Sequence, residues 1–289
     1  MQTFKSLGML RTALAQLRGG GNDGAARIAL VPTMGALHEG HLALVRRARE
    51  LADHVVASIF VNPRQFGAHE DLDAYPRQLA ADAAMLEAEG CALLWAPTME
   101  AMYPAGFASN VSVAGVSDGL CGAARPGHFD GVATVVLKLF NQVQPDIAIF
   151  GEKDFQQLAV IRTMARDLDL TAPDVSAIIG MPTIREADGL AMSSRNRYLS
   201  PDQRSAAAAL PRAMRRAVAA MESGCDVAEI LAALEAEIIS AGFTSVDYAV
   251  LADAASLAPL NTVGAAPARL LVAARIGTTR LIDNMALGL

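Results

Sequence analysis

The sequence predicts an α/β fold: a parallel sheet with helices on both faces, followed by a smaller α+β domain. Three observations carry that prediction. Strand-like and helix-like patterns alternate through the first half of the chain. The run His54–Val61 is continuously apolar with β-branched residues, as suits a strand covered on both sides. After Pro182 the pattern changes to two helices and then three strand-like segments.

The elements follow in order. Met1–Leu17 places Leu7, Leu10, Leu14 and Leu17 on one helical face, broken by Lys5, Arg11 and Gln16, which is a helix and not a leader sequence. The glycine-rich stretch from Gly19 to Gly24 reads as a mobile loop; without a following Lys-Ser/Thr it is not a phosphate loop. Arg27–Val31 is a strand and Gly40–Ala52 a helix with Leu42, Val45 and Ala48 inward. His54–Val61, Cys91–Trp95, Asp146–Phe150 and Val175–Ile179 are strands, and Asn110–Val113 is a short one. Gln78–Glu89, Phe129–Val143 and Asp154–Leu168 are helices. Ser200-Pro201-Asp202-Gln203 carries an N-cap, a proline at the first helical position and a capping-box glutamine. It opens helices over 201–222 and 226–241, and Ser245–Leu251, Arg269–Arg275 and Thr279–Asp283 complete the chain as strands. The domains divide near 183, into 1–183 and 184–289.

Composition narrows the function. With 289 residues, 53% apolar and 19% charged, the chain buries a sizeable core. A net charge of −6 with no Lys/Arg-rich run excludes nucleic acid as the main partner. No apolar run reaches a membrane span, so a cytoplasmic location is expected. Cys91, Cys121 and Cys225 are scattered and odd in number, which suggests free thiols, not a disulfide framework or a CxxC metal site.

In an open parallel sheet, ligands bind beyond the carboxyl ends of the strands. Three turns there carry unusual polar residues. Met34-Gly35-Ala36-Leu37-His38-Glu39-Gly40-His41 runs from a strand into a helix, whose N-terminus offers free amides and positive potential to an anion. His38 and His41 are three apart and face one way, so both can donate to phosphate oxygens. The segment lacks the Lys-Ser/Thr of a P-loop and the i, i+4 histidines of a zinc protease; the plain alternative is two solvated histidines. Gly151-Glu152-Lys153-Asp154 puts a cation near a helix start, where it opposes the dipole unless a polyphosphate sits there. Met192-Ser193-Ser194-Arg195-Asn196-Arg197 sets hydroxyls beside guanidiniums, a donor cluster for phosphate or else a polar hinge. Amides after the second strand and around Gln156 and Gln157 suit a small ligand with hydroxyl and carboxylate groups.

These segments, with Phe60-Val61-Asn62-Pro63-Arg64-Gln65-Phe66-Gly67, Tyr75-Pro76-Arg77 and Gly127-His128-Phe129-Asp130-Gly131, resemble the pantothenate synthetase (pantoate–β-alanine ligase) family over nearly the whole chain. A lone HxGH also marks nucleotidyltransferases and class I aminoacyl-tRNA synthetases; the blocks in family order are far more specific. The resemblance implies a Rossmann-like N-terminal domain, a C-terminal lid domain and a homodimer. It implies ATP, Mg²⁺, (R)-pantoate and β-alanine as reactants and partners, and a pantoyl-adenylate intermediate.

Carried over by position, Met34 to His41, Gly151 to Asp154, Ile184, Met192, Ser193, Ser194 and Arg195 bind ATP, and His41 is a proton donor. His38, His41 and Lys153 form the catalytic set. Gln65, Gln157 and Asn62 hold pantoate, with Gln65 also near β-alanine. Arg64 fills a variable, often apolar position of the family's motif. No protein ligand for a metal is assigned, although Asp82 lies near the motifs. The other readings are a nucleotidyltransferase acting on a phosphorylated small molecule and a non-catalytic nucleotide-binding protein.

Overall fold

The computed structural model describes residues 1–19, 25–67 and 72–288; of the loop expected from Gly19 to Gly24, Gly19 instead ends the first helix and the rest lies outside the described residues. The elements, in chain order, are β1 (Gln2–Phe4), α1 (Leu7–Gly19), β2 (Ile28–Thr33), α2 (Glu39–Leu51), β3 (His54–Ile59), α3 (Leu79–Ala88), β4 (Leu93–Trp95), α4 (Met99–Met102), α5 (Cys121–Ala124), α6 (His128–Val143), β5 (Ile147–Gly151), α7 (Phe155–Asp167) and β6 (Ile178–Met181). Then come α8 (Pro201–Ala207), α9 (Ala209–Glu222), α10 (Val227–Ser240), β7 (Ser245–Asp253), β8 (Ala268–Ile276) and β9 (Thr279–Leu287). The chain falls into two compact units. The first holds Met1–Ala114, Arg125–Glu152 and Gln157–Pro182; the second holds Gly115–Ala124, Lys153–Gln156 and Thr183–Leu289.

The first unit is built on a six-stranded sheet in the order β1-β4-β3-β2-β5-β6, every pair parallel. Its inner strands are mostly apolar because both faces are covered, with Ser58 of β3 the buried polar exception. Ala29, Val31, Val55, Ala57, Leu94, Ile147 and Ile149 are buried in one cluster with Leu44, Val45 and Ala48 of α2. From β2 the chain steps to β3 on one side, while β5 pairs on the other. The strand order therefore reverses at β2, and the carboxyl ends of β2 and β5 flank the crevice where such sheets bind ligands.

The second unit packs α9 and α10 on an antiparallel sheet in the order β7-β8-β9. Met214, Leu234, Ile238, Leu251, Val272 and Ile276 are buried in its core. β8 and β9 are joined through Gly277, whose φ of 57° is the left-handed corner a two-residue turn needs.

Four expectations change. β1 is too short to leave a periodic pattern, yet it adds an edge strand beside β4. Asn110–Val113 is no strand: Val111 N–H donates to Thr134 Oγ1 (3.0 Å), and Asn110 and Ser112 donate to Asp130, so side chains of α6 replace a sheet partner. Val175–Ala177 is a 3-10 turn capped by Asp174, and the strand starts at Ile178. The helix expected over 201–222 breaks at Ala208, because Pro211 has no N–H to continue the ladder and is tolerated only in a first turn. The capping box at Ser200 and Gln203 forms as read from the sequence.

Among the described residues no helix is long and apolar enough to cross a membrane. Cys91 and Cys121 are buried free thiols and Cys225 is an exposed one; burial pushes the Cys91 thiol up to about 12. A thiol reagent is therefore expected to label Cys225 rapidly in the native protein and all three cysteines after denaturation. Rapid native labelling of Cys91 would contradict its burial.

Candidate active site

The turn after β2 is shaped by one carboxylate. Asp82 on α3 is fully buried and accepts from Ala36 N–H (2.9 Å), Leu37 N–H (3.0 Å) and the Gln78 amide (3.0 Å). Gly35 at φ 82° and Ala36 at φ 52° both take left-handed backbone. For alanine that conformation costs ~1–2 kcal/mol. Hydrogen bonds to a charged acceptor contribute ~1.5–3 kcal/mol each, so the carboxylate outweighs the strain. Asp82 is thus an anchor for the Met34–His41 loop, with its oxygens committed to amides. Among the described residues no group of three or more His, Cys, Asp or Glu side chains is placed to hold a metal.

His38 caps α2 and His41 lies one turn in. Their rings are 4.1 Å apart between centroids and tilted by 44°, both half-buried. His41 Nδ1 accepts from the His38 backbone N–H at 3.4 Å. A ring whose Nδ1 accepts carries its proton on Nε2 when neutral and can donate it outward. The amides of Glu39 and Gly40, in the first turn, have no intrahelical acceptor. Glu39 itself turns to Arg46, which also holds Glu89, so its side chain is spent on the helix surface. Gly151 ends β5 and Glu152 opens the following 3-10 turn, both in the same unit. A cavity of about 310 Å³ opens beside the loop, lined among others by Met34, Gly35, Phe60, Val61 and Arg77.

The second turn, after β3, forms a rigid amide platform. Asn62 is fully buried and Gln65 nearly so. Asn62 Nδ2 donates to Gln65 Oε1 (2.9 Å) and to the Gly131 carbonyl (3.0 Å). Its Oδ1 accepts from the Tyr103 hydroxyl (2.9 Å) and caps a 3-10 turn over Pro63–Gln65. Burial pushes the Tyr103 phenol up to about 12 against the opposing pull of Arg64 and Asn62, so it keeps its proton and donates. His128 faces Arg125 with Nε2 (3.0 Å) and the Gln65 carbonyl with Nδ1 (2.8 Å). Since a guanidinium only donates, Nε2 accepts and Nδ1 carries the proton. Arg64 swings away from the platform: its guanidinium donates to Ser109 O and Asn110 Oδ1 and lies over Tyr103 and Phe107. The Arg64 charge is thereby satisfied by its own neighbours. Gln157 is half-buried on α7 in the same unit.

The second unit assembles the remaining candidates. Lys153 sits in a 3-10 turn over Glu152–Asp154, its ammonium 3.6 Å from Asp154. Ile184 O accepts from Met192 N–H (3.0 Å), so 184–192 folds back on itself. Ser193 caps the following 3-10 turn by accepting from Arg195 N–H (3.3 Å), which leaves its hydroxyl proton to donate elsewhere. Gln156 is structural: its amide accepts from Cys121 N–H and donates to Val116 O and Gly119 O.

Sequence reasoning missed the roles of Asp82, Tyr103, Arg125 and His128. The Gly127–Gly131 block was the available signal. A Cβ on Gly131 would lie 2.1 Å from Arg64 O and 2.8 Å from Gln65 N, so that glycine exists for the close approach of α6 to the platform.

The chain matches the family model described as pantoate-beta-alanine ligase over residues 2–286. It is 67% identical to a pantothenate synthetase of Novosphingobium aromaticivorans, over 100% of this chain and 99% of that protein. It is 62% identical to the pantothenate synthetase of Sphingopyxis alaskensis, over 100% of each. Among solved structures it is similar to the pantothenate synthetase of Thermus thermophilus, with a TM-score of 0.90, 48% identity and 99% of each chain covered. It is also similar to the pantoate-beta-alanine ligase of Francisella tularensis complexed with beta-gamma ATP and beta-alanine (TM-score 0.81, 31% identity, 99% of this chain and 97% of that one).

Two substitutions test the geometry. Asp82→Asn keeps the volume but misplaces donors against the loop amides; a stability loss of ~1–3 kcal/mol is expected in denaturant titration, with reduced activity. Gly131→Ala overpacks the platform, at ~1–3 kcal/mol. It is expected to abolish turnover while helical circular dichroism persists. Wild-type kinetics from Gly131→Ala would refute the close approach.

Proposed function

Since this chain belongs to the pantoate-beta-alanine ligase family, we propose that it ligates (R)-pantoate to β-alanine through an enzyme-bound pantoyl adenylate made from ATP. The observation that carries this reading is the pair of half-buried histidines at the N-terminus of α2, on a loop at the point where the strand order reverses.

The first step joins two anions. A pantoate carboxylate oxygen attacks the α-phosphorus and pyrophosphate leaves. His38, His41, the Glu39 and Gly40 amides, and the dipole of α2 offset the negative charge on the nucleotide. Lys153, Ser193, Ser194 and Arg195 add donors for the phosphates, and the main chain at Ile184 completes the nucleotide contacts. Gln65 and Gln157 orient pantoate; Asn62, expected to hold it as well, is fully buried with its amide spent on Gln65, Gly131 and Tyr103, and acts by fixing the Gln65 amide, since a preorganised amide costs little to align. In the second step the neutral amine of β-alanine, beside Gln65, attacks the acyl carbon and AMP leaves. No covalent nucleophile is needed, which fits two buried cysteines and one exposed one. Magnesium would accompany ATP and supply countercharge to its phosphates; no three-ligand cluster of His, Cys, Asp or Glu stands among the described residues to hold it. The proposal extends to a lid formed by 184–289 over a domain of 1–183, to a homodimer, and to the cytoplasm.

Exchange of labelled pyrophosphate into ATP tests the intermediate. It is expected to require pantoate and not β-alanine; exchange indifferent to pantoate would favour a nucleotidyltransferase instead. His41→Ala and Lys153→Ala are each expected to slow that exchange by roughly 10²–10³ with the fold intact. Full exchange in either variant rejects its role.

A further inference from the structure

The strand β9 contains a polar pair that the reaction scheme above does not use. Asp283 and Asn284 are consecutive and both buried, at 2% and 4% exposure. Consecutive strand residues point to opposite faces, so polar side chains are buried on both sides of the sheet at one place. Apolar residues would serve such a sheet equally well, and replacing a buried ion pair with them is often neutral or stabilising. Packing therefore does not account for the pair, but its partners do.

Asn284 reaches the Lys153 turn. Its Nδ2 donates to the Lys153 carbonyl at 2.9 Å, across 131 residues of sequence. Its Oδ1 accepts from Arg269 Nη1 at 2.5 Å. The same Arg269 guanidinium lies 3.9 Å from the Phe155 ring centroid. The turn carrying Lys153 is thus held at its main chain and at its next aromatic residue from one spot. Asp283 reaches the other candidate segment. It takes a two-pronged ion pair from Arg185 (2.7 and 2.8 Å) and accepts from the Asn284 N–H. Arg185 follows Ile184, and its Nη1 also donates to the Gly189 carbonyl (3.0 Å), closing the fold-back that leads into Met192–Arg195.

We propose that Asp283 and Asn284 are positioning residues that register the Lys153 turn against the 184–195 segment, so that both present their donors to one triphosphate. This rests on the assignment of Lys153 and Ser193–Arg195 to ATP. Asn284 acts through the Lys153 main chain and touches no substrate. A donor displaced by an ångström loses much of its effect on a reacting group.

The test uses the full-length protein. Calorimetric binding of ATP without pantoate, pyrophosphate exchange and steady-state kinetics are compared for Asn284→Ala, Lys153→Ala and the double variant. Asn284→Ala is expected to weaken ATP binding roughly tenfold and to slow exchange, with the KM for β-alanine unchanged within about twofold. Added to Lys153→Ala, it is expected to cost less than about twofold further, because the two act as one unit. Asn284→Asp, of equal size but without the amide donor, is expected to match Asn284→Ala and serves if the alanine variant is unstable. Wild-type ATP binding in a folded Asn284 variant overturns the proposal, as does an equal loss in the Lys153→Ala background. If neither variant folds, the pair is a folding element and the proposal fails. If Lys153→Ala itself binds and exchanges normally, it is the ATP-site assignment that fails.

Discussion

The carboxylate of Asp82, buried beneath the turn that follows β2, holds the rest of the first unit's candidate site in place. By accepting the amides of Ala36 and Leu37 it keeps the chain in a left-handed bend that an alanine would otherwise avoid. That bend delivers His38 to the cap of α2 and stacks His41 beside it. A buried carboxylate needs compensating donors, and the loop amides need an acceptor; each solves the other's problem. The arrangement also settles the division of labour among the loop's amides. Those of Ala36 and Leu37 are internal, while those of Glu39 and Gly40 face outward from the helix start, where an anion is best received.

The platform after β3 follows the same logic with neutral groups. Asn62 is hydrogen-bonded through both atoms of its amide, and Gln65 is held by its side chain and by its carbonyl. Amides fixed in this way keep one orientation, which is what alignment of a carboxylate for in-line attack requires. The closeness of α6 at Gly131 shows how little room the platform has to adjust. In the second unit, ionic and polar groups of β9 take the place of Asp82, reaching two segments far apart in sequence.

Much of this was legible in the chain. Alternating apolar patterns showed the parallel sheet, and the change after Pro182 showed a different architecture to follow. The capping box at Ser200 predicted a helix start to the residue. The HxGH segment, Lys153 and Ser193–Arg195 stood out as candidates because a helix start and a donor cluster are local patterns. Where local reading failed, a partner from elsewhere decided the outcome. The extended 110–113 segment lacked a neighbouring strand and was taken up by α6. Arg64 found aromatic faces at Tyr103 and Phe107.

The sequence alone determined the fold class, the order of most elements and the resemblance to a ligase family, because periodicity, capping and motif order are properties of neighbours in the chain. Tertiary structure alone decided which polar groups shape the site. Asp82 meets Ala36 across 46 residues, and Asn284 meets Lys153 across 131. Buried polar groups must find partners wherever the fold provides them, and such pairings leave no period, spacing or motif in the chain to be read beforehand.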